Sequence, residues 1–144
     1  MTKKYIKNYH YAECGLEYVI LSKAEILETE HGSAIDVGAS TADINKKIAK
    51  AILSNLRPLR GREVRFLRGV LNLKQIEFAK DLGLQQATVA TWENRDADKY
   101  FDKPTQFYLH QYFSQKFKIN PVTLDKFVAK SSSDLKNESC KIAV

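Results

Sequence analysis

The 144 residues suit one or two small domains, and a hydrophobic share of 44% is ordinary for a globular chain. No apolar run approaches the roughly 20 residues of a membrane helix. The basic start Met1-Thr2-Lys3-Lys4 is not followed by the apolar stretch of a signal peptide, so a cytoplasmic protein without membrane contact is expected. The net charge of +6 is unevenly placed: residues 1–56 hold seven basic and seven acidic side chains, residues 57–130 hold fourteen and eight, and the last fourteen residues hold two of each. The whole excess falls on the middle segment, as in a module that binds a polyanion. Cys14 and Cys140 lie far apart, and reduced thiols are expected.

In chain order, residues 5–38 read as strands. Tyr9 and Tyr11 alternate with polar neighbours, Tyr18 to Leu21 is a short β-rich run, and Glu25 to Val37 alternates loosely, with His31-Gly32 as a hairpin turn. This predicts a small β-meander. Ser40 or Thr41 caps a helix through about Asn55, whose Ile44, Ile48, Ala49 and Ile52 share one face. Arg57-Pro58 ends that helix, because the residue before proline is pushed out of the α region. The composition shift and the proline together place a domain boundary near Asn55 to Leu59, dividing residues 1–56 from 57–130. A helix over Arg62 to Leu71 follows, with Val64, Leu67 and Leu71 on one face. Asn72 with Gln75 makes a capping-box start for the next helix, and Gln85 to Arg95 forms another. Pro104 suits the first turn of a helix reaching about Phe117, and Asn120-Pro121 breaks it, with a short amphipathic turn to Lys130. The Ser-rich, mixed-charge segment 131–144 reads as a disordered tail.

The window Gln75 to Asn94 carries the strongest pattern. Ala79, Gly83 and Val89 stand at its fifth, ninth and fifteenth places. A helix-turn-helix needs a small residue where two helices cross, backbone freedom at the turn, and an apolar stripe, here Val89 and Trp92, closing the core. Side chains that read the major groove project from the first turn of the second helix. Gln85 and Gln86 stand there, with Ala87, Ala90 and Thr91 on the same exposed side. Glutamine bonds adenine N6 and N7 together, and small side chains allow close approach or a thymine-methyl contact. Lys74 has two readings, phosphate contact and solvated charge, and the same pair applies to Arg57, Arg60 and Arg62.

The run RFLRGVLNLKQIEFAKDLGLQQATVATWEN resembles the lambda-repressor-like, or Xre, helix-turn-helix family, in its Arg-containing first helix, Leu-x-Gln opening and closing Trp-Glu. The resemblance covers about half of the chain and implies an all-α DNA-binding domain; with the N-terminal β-meander plus helix read above, the expected fold class is α+β. It also implies that Gln75 faces phosphate, that Arg68 and Glu93 form a partly buried ion pair, and that Asn94 and Arg95 touch the DNA backbone. Gln85 stands where that family often has a Ser or Thr cap. The front part, YHYAECGLEYVIL, is similar to the N-terminal region of MqsA-like antitoxin regulators, although MqsA itself carries paired zinc-binding cysteines there and this chain has Cys14 alone.

Other constellations give no chemistry. His10 and Cys14 are four apart in a segment that reads as strand and loop, and three His with two Cys do not favour a closed four-ligand zinc site. No Ser-His-Asp, Cys-His or Gly-rich phosphate motif is visible, so neither an enzyme nor a bound metal or cofactor is expected. Phe107, Tyr108, Tyr112, Phe113 and Phe117 exceed what one helix face buries, so some are expected to meet another domain or a second protomer. The expected function is a sequence-specific repressor that binds double-stranded operator DNA as a homodimer. The alternative is an antitoxin that sequesters a toxin protein through residues 1–56 and autoregulates its operon.

Overall fold

The computed structural model describes residues 3–11, 14–29, 32–36, 41–120 and 140–142, with strands and helices both present. The chain divides into two compact units, Met1–Ala51 with Ser139–Val144, and Ile52–Glu138. The division falls inside the first helix, a few residues before the boundary that the composition shift suggests.

In the first unit, strands β1 (Lys3–His10), β2 (Val19–Thr29) and β3 (Gly32–Asp36) form an antiparallel sheet in the order β1-β2-β3. The register runs from Lys3↔Leu27 to His10↔Ile20 on one edge of β2 and from Glu25↔Asp36 to Thr29↔Gly32 on the other. A single eleven-residue β2 therefore joins two stretches that alternate separately in the sequence. The loop between β1 and β2 is closed by Tyr11 N–H donating to the Val19 carbonyl at 2.9 Å, and Gly15 turns it at φ 83°. Tyr11, Leu16 and Val19 are buried. Helix α1 (Thr41–Ser54) buries the face expected of it, Ile44, Ile48, Ala49 and Ile52.

The expectation of a disordered tail over 131–144 needs correction at Cys140–Ile142. These residues form a short strand, β4, parallel to Val19–Leu21 of β2. Strand β3 pairs only with the far half of β2, so the near half keeps unpaired backbone groups that a three-residue strand satisfies. The amphipathic turn expected over 121–130 lies outside the described residues.

The second unit holds α2 (Gly61–Val70), α3 (Gln75–Leu82), α4 (Gln86–Glu93) and α5 (Lys103–Lys116). One device ends α1, α2, α3 and α5. One or two residues past the helix the backbone turns into the left-handed region, at Leu56, Asn72, Gly83 and Lys118, and the next N–H reaches back five residues. Helix α1 thus stops at Ser54, ahead of Pro58, because Leu56 reverses the backbone and Arg57 N–H bonds the Ile52 carbonyl at 3.0 Å. Asn72 is likewise a terminator of α2 at φ 57° and not the cap of α3. Lys74 caps α3, with its N–H donating to the Glu77 carboxylate at 3.1 Å.

Phe78 and Phe113 stack at 5.5 Å in the core, with Val64, Leu67, Ala79, Val89 and Leu109 buried in the same unit. The five α5 aromatics are not all buried in this unit, in line with their excess over one helix face. Phe113 alone among the five is fully enclosed; Tyr108 is 54% exposed, and Tyr112 donates its hydroxyl proton to Asp81 at 2.7 Å. Tyr108, Tyr112, Gln115 and Ile119 line an open groove of about 550 Å³.

Candidate nucleic-acid interface

Helices α3 and α4 are joined by a turn over Gly83–Gln85, and its geometry follows from two small residues. Gly83 takes φ 70°, where a side chain is strained, and Leu84 N–H returns to the Ala79 carbonyl at 2.8 Å. Ala79 is 1% exposed, small enough to sit buried on α3 beside the turn it helps to close. Val89 and Glu93, one helical turn apart, are the buried residues of α4, and Trp92 sets its ring edge-on against Phe101 at 4.8 Å.

The inward face of α4 is fixed by charge. Arg68 on α2 grips the Glu93 carboxylate with two parallel bonds, Nε to Oε2 at 2.8 Å and Nη2 to Oε1 at 2.7 Å. Its third nitrogen donates to the Leu73 carbonyl at 2.7 Å, and Gln75 Nε2 donates to Glu93 Oε1 at 3.1 Å. The Arg68–Glu93 pair thus ties together α2, the loop after it, α3 and α4. The hydrogen bond to Glu93 raises the Arg68 pKa above its ordinary value. The ion pair that the resemblance implies is present. Gln75 is half-buried and turned toward this cluster.

The N-terminus of α2 is locked equally closely to the C-terminus of α4. A Cβ on Gly61 would lie 1.7 Å from the Trp92 carbonyl oxygen, so only glycine permits the contact. Arg62 N–H donates to the Ala97 carbonyl at 3.0 Å, and its side chain pairs with Asp98, whose carboxyl this bond holds below the usual range. Residues 59–60 run beside 100–101, with a bridge between Arg60 and Tyr100. The buried Gln106 amide extends this pairing: Leu59 N–H donates to its Oε1 at 2.7 Å, and its Nε2 donates to the Leu59 carbonyl at 2.8 Å.

Two of the arginines considered for phosphate are inside the fold. Arg57 and Arg60 are 8% and 7% exposed; Arg60 Nε bonds the buried Glu63 carboxylate at 2.9 Å, and His110 Nε2 lies 2.8 Å from the Arg57 carbonyl. Their positive charges therefore belong to the core. Spacing alone does not distinguish a buried arginine from an exposed one; the signal that could have done so is Glu63, three residues after Arg60.

The outward face of α4 differs. Gln85, Gln86 and Ala87 are exposed, and Ala90 and Thr91 are partly exposed. Gln85 occupies the cap position without a side-chain cap bond, so its amide is not spent on the helix. Thr91 Oγ1 donates to the Ala87 carbonyl at 3.0 Å. Asn94 and Arg95 are exposed past the end of α4, with Arg95 3.5 Å from Asp96, which Lys99 also approaches at 3.3 Å. Lys74 is exposed at the start of α3. Arg62 is exposed on α2 but paired with Asp98. Gly61, Gln106 and Asp98 belong to no recognisable motif, so the sequence alone does not mark them.

No family model, curated protein or solved structure matches this chain. Among the described residues, no helix is long and apolar enough to cross a membrane.

Proposed function

We propose that α3, its turn and α4 form a helix-turn-helix of the lambda-repressor-like type. In this reading the protein is a cytoplasmic, dimeric regulator that binds double-stranded operator DNA in a sequence-specific manner. The observation that carries the reading is the division of α4. A rigidly held inner face presents an outer row of Gln85, Gln86, Ala87, Ala90 and Thr91, with side chains of the reach and type that read base edges. Exposed Lys74 and Arg95 stand at the start of α3 and the end of α4, where they suit phosphate contact. Gln75 serves the frame first, and a phosphate role for it would use the second Nε2 hydrogen of an amide already anchored to Glu93.

A gel-shift titration of the full chain against the DNA upstream of its own gene tests the reading. The expected result is a sequence-preferring complex whose affinity falls steeply as salt rises. A complex without sequence preference, or none, contradicts it.

A further inference from the structure

The outer face of α4 is unusual in what it lacks. From Leu82 to Asn94 the only charged side chain is Glu93, and that carboxylate is buried and bonded to Arg68. The polar groups that reach outward from the first turn are the exposed carboxamides of Gln85 and Gln86, with the Thr88 hydroxyl only partly exposed beside them. The Thr91 hydroxyl gives its proton to the Ala87 carbonyl, and its methyl joins those of Ala87 and Ala90 on this face. Arg95 is nine residues beyond Gln86, about 13 Å farther along the helix direction at ~1.5 Å per residue, and lies against Asp96.

In the major groove, guanine is read chiefly by paired donors from Arg or Lys, and none stands on this face. A carboxamide matches adenine N6 and N7, and a methyl surface matches the thymine C5-methyl. Both features belong to A·T pairs. Resting on the DNA-reading proposal above, we infer that the half-site under α4 is rich in A·T pairs, and that thymine methyl groups contribute directly to its recognition. Cytosine, which offers an amino donor and no methyl, meets the amides of this face without its methyls.

The test selects duplexes from a randomised library with the full-length protein, then measures binding of the enriched duplex by fluorescence anisotropy at fixed salt. Enriched sites should carry A·T pairs at the most constrained positions. Replacing each thymine there by deoxyuridine, which removes only the methyl, should weaken binding about four-fold per contacted methyl. Gln86→Arg should shift the selected base toward guanine. Enrichment of guanine at those positions by the unaltered protein, or a deoxyuridine duplex bound as tightly as its thymine parent, overturns the inference while leaving DNA reading in place. Failure to enrich any sequence overturns the DNA-reading proposal and this inference with it.

Discussion

The two faces of α4 contrast sharply in chemistry. Inward stand Val89 and a buried carboxylate held by Arg68 and Gln75; outward stand amides and methyl groups with no charge among them. Within α4 the one charged residue, Glu93, builds the frame, and neutral residues face outward. A positive segment is thus not equivalent to a positive reading surface, because Arg57, Arg60 and Arg68 are largely withdrawn into the fold.

If the inner face is the frame, damage to it should appear in stability. Glu93→Ala removes the carboxylate that joins α2, α3 and α4 and leaves the Arg68 guanidinium, 16% exposed, without its counter-charge. Urea unfolding should report a loss of about 3–5 kcal/mol. Gly61→Ala should cost about 3 kcal/mol in the same assay, because the new methyl meets the Trp92 carbonyl and backbone cannot rotate aside. Gln106→Leu keeps the volume but strands the Leu59 N–H and carbonyl, and should cost about 1–3 kcal/mol. By contrast, Gln86→Ala on the outer face should change stability by less than about 0.5 kcal/mol.

The smallest effect concerns acid. Arg62 lowers the Asp98 carboxyl and the Thr105 bonds lower that of Asp102, the cap of α5. A carboxyl lowered in the folded state stabilises fully above its unfolded value, near ~3.9, and loses that contribution as pH falls through the folded value. Melting temperature should therefore drop on acidification below that range, and Asp98→Asn with Asp102→Asn should flatten the drop. An unchanged acid profile would show that these loop bonds are absent in solution.

Much of this frame is legible in the sequence where a residue type has one use. Gly83 at the turn, Pro104 at the start of α5 and the Ile44–Ile48–Ile52 stripe all appear where local rules place them. Asn72 is ambiguous in the sequence because asparagine suits both a helix start and a left-handed stop, and only the bonds from Asn72 and Leu73 N–H decide between them. The ends of α1 and α5 fall within one residue of expectation, although the left-handed residues Leu56 and Lys118 that make them carry no sequence signal. The outer face was fully legible as a list, Gln85, Gln86, Ala87, Ala90 and Thr91. That the Thr91 hydroxyl is internally bonded, and that Gln75 serves Glu93, depended on distances between side chains.

The most direct measurement combines Gln85→Ala, Gln86→Ala and Thr91→Ala in one chain and records its melting curve beside its binding to the enriched duplex. The account predicts a melting temperature close to that of the parent with sequence-preferring binding abolished. Retained sequence preference at unchanged stability would contradict the assignment of this face as the reader.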